Sequence, residues 1–500
     1  MAGYTDFPLS IYNSYSREKE VFTPIHQGQV GLYVCGPTVY NFVHLGNVRT
    51  FMTFDVLYRY LTYLGYKVRY VRNITDVGHL VDDVDEGEDK IAKKARLDNL
   101  EPMEVVQMYT NDFHDTLRLF NFISPSIEPS ATGHIIEQIQ MVQQIIDHGF
   151  AYEVNGSVYF DVLKYQEAKG DYGKLSGRVL EDLMNNTREL DGQEEKHNAL
   201  DFAIWKNADE RHIMKWPSPW GIGFPGWHLE CSVMSTKYLG KQFDIHGGGM
   251  DLKFPHHECE IAQSVAADGE VPVRYWMHSN MLTVNGQKMS KSLGNSFTPA
   301  ELLTGEHELL KKGYSPMTVR FFMMQSHYSS TLDFSNDALE ASEKGYKRLM
   351  NALKASQELT YKKGTIEPAL EEEITSGLNE AFLNLSDDLN TAKCIANLFD
   401  LATRINSFSA NKLAIGSISE GLFMRLQKEY QAIIVDILGI QAEDSGKSAV
   451  LDHLMQLVIE MRQEARQNKD FATSDKIRDA LNAAGVQLKD GADGTGYTLN

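Results

Sequence analysis

The pattern that most limits the fold lies in residues 29–75, where a strand, a helix and a second strand follow one another. Residues 29–35 (Q-V-G-L-Y-V-C) form a short apolar run ended by a Gly-Pro pair, which is typical of a buried strand. Residues 47–64 carry apolar side chains at close to helical spacing, and residues 67–75 (K-V-R-Y-V-R-N-I-T) are typical of a strand. Because a helical crossover joins parallel strands, this unit predicts a parallel sheet with ligands at the C-terminal strand ends, one of which is Cys35.

The sequence pattern divides the rest of the chain into four further segments, residues 121–222, 223–335, 336–440 and 441–500. Residues 121–222 break the sheet pattern with prolines, a helix and a hairpin-like stretch, which indicates an insertion. Residues 336–440 have the long amphipathic helices of a bundle, and residues 441–500 predict a small terminal module. We therefore expect an α/β protein with a Rossmann-type parallel-sheet domain in two halves, 1–120 and 223–335, followed by a helical bundle and a small C-terminal α/β module.

Composition limits the compartment and the partners. The chain of 500 residues has no run of about eighteen apolar residues and no basic N-terminal segment followed by an apolar one. We therefore expect no membrane span and no secretory signal. Four cysteines in so long a chain do not make a disulfide framework, which predicts a reduced, cytoplasmic protein. The formal charge of −20 means that any nucleic-acid partner must be recognised by shape and placed contacts rather than by bulk charge.

Residues 227–260 concentrate the residue types that bind metals. Cys231 would supply a thiolate, and His256 and Glu260 stand four apart at a predicted helix start, on one helical face. Thiolate, imidazole and carboxylate are zinc ligands, but three donors leave a tetrahedral site incomplete, so a fourth must come from elsewhere. The alternative is a buried cysteine beside a polar helix start.

Two short motifs suit phosphate groups. H-L-G-N at residues 44–47 lies between the first strand and its helix, where unpaired N–H groups and the helix dipole favour an anion. The alternative there is a capping asparagine after a turn. K-M-S-K-S at residues 288–292 places two lysines three apart in a Gly- and Ser-flanked loop, which would neutralise a polyphosphate. The alternative is a solvated basic loop.

Together, H-L-G-N and K-M-S-K-S resemble the two nucleotide motifs of class I aminoacyl-tRNA synthetases, usually H-I-G-H and K-M-S-K-S. The strings Y-V-C-G-P-T-V-Y, Y-V-R-N-I-T-D, P-G-W-H-L-E-C-S, F-D-I-H-G-G-G-M-D-L and F-P-H-H-E-C-E resemble the cysteinyl-tRNA synthetase family in particular. The resemblance spans the chain and implies a Rossmann-type catalytic domain that activates L-cysteine with Mg²⁺-bound ATP. It also implies transfer of the cysteinyl group to tRNA(Cys), held by the bundle and, at the anticodon, by the terminal module.

The same resemblance implies a zinc ion held by Cys35, Cys231, His256 and Glu260, so that Cys35 is the fourth donor. Cys259 replaces the asparagine common in the family and borders the same helical face, so it stays open as an alternative to Glu260. Zinc binds a thiolate far better than an alcohol, whereas a pocket separates near-isosteres by only about 10- to 200-fold. The metal would therefore distinguish cysteine from serine, the substrate sulfur entering as a fifth ligand or displacing Glu260.

The other implied site residues fall into three groups. The residues implied in catalysis are His44, Asn47, Lys288 and Lys291. Those implied in ATP binding are His44, Gly46, Asn47, His246, Gly248, Gly249, Asp251 and Lys291. Those implied in the cysteine pocket are Gly36, Thr38, Thr75 and Trp227. The alternative for each glycine and for the tryptophan is a structural role, in a turn or in the core. Asn47 departs from the family's usual second histidine and cannot become cationic, which puts the distribution of phosphate contacts in doubt.

Two other hypotheses stay open. One is a ligase that joins activated cysteine to an amino sugar on the same catalytic domain; residues 336–500 speak against it, because such a ligase needs no anticodon-type module. The other is a zinc-bearing regulatory relative that binds nucleotide without turnover, against which the intact K-M-S-K-S and the full ligand set speak. We expect a monomer rather than a homodimer.

Overall fold

The computed structural model describes residues 3–77, 90–180, 195–210, 212–226, 228–289, 294–443, 445–467, 470–483, 486–491 and 494–499. They form two compact units, Met1–Ile440 and Gln441–Asn500. The strands of the first unit are β1 (Ser10–Asn13), β2 (Glu18–Val21), β3 (Gln29–Val34), β4 (Lys67–Arg72), β5 (Ala151–Val154), β6 (Ser157–Phe160), β7 (Phe202–Asn207), β8 (Trp216–Ser218), β9 (Gly221–Pro225), β10 (Phe243–Gly249), β11 (Val273–Ser279), β12 (Leu282–Val284), β13 (Gln287–Lys288) and β14 (Leu332–Phe334). Its helices are α1 (Leu45–Tyr63), α2 (Lys90–Asp98), α3 (Pro102–Leu119), α4 (Ile135–Asp147), α5 (Val162–Lys169), α6 (Leu229–Leu239), α7 (His256–Asp268), α8 (Pro299–Thr304), α9 (Pro316–Met324), α10 (Asn336–Glu358), α11 (Pro368–Ser386), α12 (Thr391–Ser409) and α13 (Glu420–Gln431).

A four-stranded parallel sheet in the order β11-β10-β3-β4 forms the centre of the first unit. Helix α1 connects β3 to β4, and α7 connects β10 to β11. The chain leaves β3 and β10 in opposite directions across the sheet, so their adjacent C-terminal ends frame a crevice of the kind that binds ligands in open parallel sheets. The Rossmann-type α/β fold predicted from residues 29–75 is confirmed.

Helix α1 is buried on most sides because it packs between the sheet and the helices that follow it. A methyl group added to Gly247 of β10 would lie 2.1 Å from the Phe54 ring, so the sheet and the helix touch at a glycine. Three charged residues of α1, namely Arg49, Asp55 and Arg59, are nevertheless buried. They are tolerated because each is hydrogen-bonded within the protein.

A five-stranded antiparallel sheet in the order β5-β6-β7-β9-β8 lies between the two halves of the parallel sheet in sequence. The hairpin-like stretch expected here is the β5–β6 hairpin, which turns at Asn155 and Gly156. Both turn residues have positive φ, as a two-residue hairpin turn requires. Before α4, Ile127 and Ser130 make parallel bridges to Val71 and Ile74, so the chain first runs along the edge of β4.

The helices α10 to α13 pack against one another, which confirms the predicted helical C-terminal region of the first unit. The second unit contains α14 (Ser445–Gln467), α15 (Phe471–Ala483) and a hairpin of β15 (Val486–Gly491) and β16 (Gly494–Leu499). Asp470 caps α15 by accepting hydrogen bonds from the Thr473 amide and hydroxyl. Among the helices described, none is long and apolar enough to cross a bilayer.

Candidate active site

The crevice between β3 and β10 collects four donors from three elements. Cys35 directly follows β3, Cys231 lies in the first turn and a half of α6, and His256 and Glu260 lie on one face at the start of α7. The i, i+4 spacing brings His256 Nε2 to 3.0 Å from Glu260 Oε1. All four residues are buried.

The side chains of these four residues form a cluster centred on Cys35. Its sulfur lies 3.7 Å from the Cys231 sulfur, 3.3 Å from His256 Nε2 and 3.6 Å from Glu260 Oε1. A tetrahedral ion with metal–sulfur bonds of about 2.3 Å and metal–nitrogen or metal–oxygen bonds of about 2.0–2.2 Å separates its ligand atoms by about 3.3–3.8 Å. The spacing and the donor types are therefore compatible with a metal ion.

Further donors surround the cluster. Cys35, His256 and Glu260 form one compact group with His257, and Cys231 and His256 form a second with Glu230. Sequence reasoning did not single out His257 or Glu230. A signal existed for His257, because it stands three residues before Glu260 and so shares its helical face. Its Nδ1 lies 2.8 Å from Nε2 of His278 in β11, which orients the ring.

Electrostatics within the cluster favour an ionised Glu260 carboxylate and a neutral Cys35 thiol. Burial raises the pKa of the Cys35 thiol well above its usual value. Burial also opposes ionisation of Glu260, but the imidazoles of His246 and His256 outweigh it and hold the pKa of Glu260 at about 2. A metal that binds here must therefore displace the proton from the Cys35 thiol.

His246 was placed by the resemblance among the ATP-binding residues, but its side chain lies at the donor cluster formed by Cys35, Cys231, His256 and Glu260. Its Nε2 is 2.7 Å from Glu260 Oε2, so it holds the carboxylate oxygen that faces away from His256. The alternation of β10 explains this: His246 and Gly248 face α7, where a methyl group on Gly248 would touch His257. Gly247 and Gly249 face the opposite way, toward α1.

Cys259, the alternative donor, points elsewhere. Its sulfur lies 3.8 Å from the Tyr172 hydroxyl, and it belongs to neither of the donor groups found among the described residues. Burial raises the pKa of the Cys259 thiol, which keeps it protonated. The geometry therefore favours Glu260 over Cys259 as the donor from this turn of α7.

The residues expected to line the cysteine pocket meet beside Cys35. Thr38 and Thr75 pair as a parallel bridge, with Thr75 N–H donating to Pro37 O at 3.0 Å. Gly36 packs so closely against the backbone of Asn73 that an added methyl group would lie 1.6 Å from the Asn73 carbonyl oxygen. The fourth predicted pocket residue, Trp227, lies outside the described residues.

The H-L-G-N motif forms the start of α1. His44 is the N-cap, and its Nδ1 accepts hydrogen bonds from the amides of Gly46 and Asn47 at 3.1 and 3.4 Å. In return, Asn47 Oδ1 accepts from the His44 amide at 3.2 Å, which completes a capping box. Asn47 thus takes part in capping, as the alternative expected, although the N-cap residue itself is His44. Because Nδ1 accepts, the proton of the neutral His44 ring sits on Nε2.

The second phosphate motif and two of the ATP-binding candidates lie close to this turn. A methyl group on Gly46 would lie 3.4 Å from Met289 Cε, so the K-M-S-K-S segment begins against the H-L-G-N turn. Asp251 lies in the short turn Met250–Lys253, and a methyl group on Gly249 would lie 2.3 Å from its carboxylate and 3.6 Å from Thr50 Oγ1 of α1.

In the second motif, Lys288 ends β13, and its carbonyl accepts from the Asn295 amide group at 3.1 Å. Lys291 lies outside the described residues.

Comparison with known proteins gives the class. Residues 21–344 match the family described as tRNA synthetases class I (C) catalytic domain, and residues 383–442 match the DALR domain. A Mycobacterium tuberculosis methionyl-tRNA synthetase in complex with methionyl-adenylate has the same fold, with a TM-score of 0.59 at 13% identity, covering 84% of this chain and 92% of that one. The fold and the crevice thus define a class I aminoacyl-tRNA synthetase.

Curated relatives give the family. A cysteine–tRNA ligase of Bacteroides thetaiotaomicron is 56% identical over 495 residues, covering 98% of this chain and 99% of the relative. A cysteine–tRNA ligase of Porphyromonas gingivalis is 54% identical over 504 residues, covering 99% and 100%. The chain belongs to the cysteine–tRNA ligase family, and the resemblance found in its motifs is confirmed.

Proposed function

We propose that this chain activates L-cysteine with ATP and transfers the cysteinyl group to the 3′ end of tRNA(Cys). The observation that carries the proposal is the junction of Cys35 and Gly36. At this point a buried cluster of thiols, imidazole and carboxylate adjoins the predicted amino-acid pocket, at the C-terminal end of β3. A pocket next to soft metal ligands suits an amino acid that carries sulfur.

We infer that the cluster holds zinc through Cys35, Cys231, His256 and Glu260. Two thiols with an imidazole and a carboxylate are a zinc donor set, and the Cys35 sulfur lies 3.3–3.7 Å from the donor atoms of the other three residues, which supports one ion. His246 supports the carboxylate from behind, as partners of metal ligands commonly do. When bound, zinc supplies an affinity for the substrate thiolate that serine cannot use.

The proposed reaction has two steps, and both take place at the C-terminal ends of the parallel strands. A carboxylate oxygen of cysteine attacks the α-phosphorus of Mg²⁺-bound ATP, and pyrophosphate leaves. The 3′-terminal ribose hydroxyl of the tRNA then attacks the acyl carbon, and AMP leaves. The N-terminus of α1 and the Nε2 proton of His44 would stabilise the phosphate charge, together with Lys288 and Lys291. These groups position and stabilise the reactants, so no covalent enzyme intermediate is required.

The helical segments would bind the tRNA. The DALR match over residues 383–442 supports a tRNA-binding role for the bundle, and we assign the anticodon to residues 441–500. We also propose that the protein is cytoplasmic and monomeric. Light scattering of the purified chain would check the monomer. A mass twice that of one chain would contradict the monomer.

The proposed reaction is tested by ATP–pyrophosphate exchange with cysteine and with serine, followed by charging of tRNA(Cys). We expect exchange that depends on cysteine, weak exchange with serine and full charging. Absence of exchange with cysteine would contradict the proposal. Exchange without charging, with product formed on an amino sugar, would favour the small-molecule ligase.

The role of the metal is tested with Cys231→Ser and the matched variant Cys259→Ser, which changes a buried thiol near the site that faces Tyr172. We expect Cys231→Ser to lose bound zinc and the preference for cysteine over serine together. Cys259→Ser should keep both. Retained preference in zinc-free Cys231→Ser would refute the assignment.

A further inference from the structure

Asn73 lies between the metal cluster and the predicted amino-acid pocket, directly after β4. Its side chain is 1% exposed and reaches three residues. The Gly36 N–H donates to its Oδ1 at 2.9 Å, and its Nδ2 donates to Thr75 Oγ1 at 2.9 Å. The Cys231 sulfur lies 3.7 Å from the same Oδ1. Asn73 lies in the string Y-V-R-N-I-T-D, for which the resemblance assigned a role only to Thr75, yet it touches a metal-ligand candidate and two pocket residues.

The orientation of this carboxamide is fixed by its partners. A backbone N–H can only donate, so the atom facing Gly36 must be the oxygen, and the amino group must face Thr75. The Thr75 hydroxyl therefore accepts this hydrogen bond and keeps its own proton for another acceptor. Within the described part of the chain, no protein group accepts that proton.

The acceptor follows from the chemistry of the amino acid. Cysteine offers three polar groups: an ammonium that can only donate, a sulfur that the metal would bind, and a carboxylate that accepts. Thr75 is 3% exposed and lies at the edge of the predicted pocket. Its backbone pairs with Thr38, and its hydroxyl and the Gly36 amide bind the same Asn73 side chain. A hydroxyl with a spare proton at this place suits the carboxylate.

We propose that Asn73 is a positioning residue for cysteine activation: it turns the Thr75 hydroxyl into a donor for the substrate carboxylate. The inference rests on the proposed function. The same side chain accepts from the Gly36 amide and lies beside Cys231, so one residue borders both the predicted pocket and the proposed metal site.

Asn73→Asp tests the direction of the hydrogen bond. One aspartate oxygen still accepts from Gly36, but the other is an acceptor, so Thr75 turns and donates to it instead of to the substrate. Thr75→Val removes the same donor at nearly the same shape. Loss of a hydrogen bond to a charged group predicts about a 10- to 100-fold lower kcat/KM for cysteine in ATP–pyrophosphate exchange, seen mainly in KM.

Two readouts separate this role from a structural one. In the double variant Asn73→Asp, Thr75→Val the losses should not add, because both changes remove one donor. Cysteamine, which lacks the carboxylate, should inhibit the wild type and Asn73→Asp with equal strength. The control Asn384→Asp, in the helical bundle, should leave exchange unchanged.

The outcomes decide the inference. Fully additive losses, equal weakening of cysteine and cysteamine, or normal exchange in Asn73→Asp would each overturn it while leaving the proposed function intact. Loss of bound zinc from both single variants would also overturn it, because it would assign Asn73 to the metal site alone. Absence of exchange in the wild type removes the proposed function and this inference with it.

Discussion

Arg320 provides a demanding test of what holds the first unit together. Its side chain is completely buried and donates hydrogen bonds to the carbonyls of Leu438 and Phe120, each at 2.7 Å, and to the Asp55 carboxylate. Arg59 reaches the same carboxylate at 2.8 Å. One buried carboxylate and two guanidinium groups thus connect the middle of α1, the end of α3 and the last residues before the second unit.

The expected cost of Arg320→Met follows from the groups that it leaves behind. Removing one partner of a buried ion pair costs about 3–5 kcal/mol, because uncompensated polar groups stay buried. Asp55 keeps Arg59 and the Ile123 amide as donors, whereas two carbonyls lose theirs. We therefore expect the lower end, about 3 kcal/mol. The control Arg404→Met breaks an exposed pair with Glu373 and should cost less than about 1 kcal/mol.

Urea unfolding followed by tryptophan fluorescence measures this cost in the first unit alone. All five tryptophans precede residue 441, so the second unit is silent in this assay. At a slope of at least about 3 kcal/mol per molar for a unit of this size, a loss of about 3 kcal/mol lowers the urea midpoint by up to about 1 M. Equal midpoints for Arg320→Met and Arg404→Met would refute the claim that the buried network stabilises this unit.

Two other predictions concern alkaline stability and the pocket. Burial raises the pKa of Tyr70 to about 12, above the value of about 10 in an unfolded chain, so its contribution is complete below pH 10 and is lost as pH rises to 12. Tyr70→Phe should therefore make the urea midpoint fall less steeply above pH 10; an unchanged slope would contradict this. Gly36→Ala puts a methyl group 1.6 Å from Asn73 O and should reduce cysteine-dependent exchange at least about 100-fold, because displaced reactants react far more slowly. Gly421→Ala meets no atom within 4 Å and should keep full exchange; equal exchange in the two variants would argue against the close contact.

Local spacing in the sequence predicted those features that backbone geometry fixes over a few residues. The apolar pattern of residues 29–75 located β3, α1 and β4 to within a few residues, because the periods of strand and helix differ. The four-residue spacing of His256 and Glu260 placed their side chains 3.0 Å apart. Alternation along β10 also contained the information that His246 and Gly249 face opposite sides, although the motif had grouped them.

Tertiary structure decided which distant residues meet. Neither helix nor strand period indicates that Cys35 and Cys231, 196 residues apart, approach to 3.7 Å; that contact follows from the packing of α6 against the sheet at β3. Asn73 and Arg320 were assigned no role from the sequence, and Asn73 meets Gly36, and Arg320 meets Asp55, only when separate segments pack. The sequence by itself determined the first strand–helix–strand unit and the family and predicted the metal-ligand residues, because these depend on local spacing and residue chemistry. The structure alone decided that the donor cluster around Cys35 adjoins the predicted pocket residues, because strand order and packing are set by many non-local contacts at once.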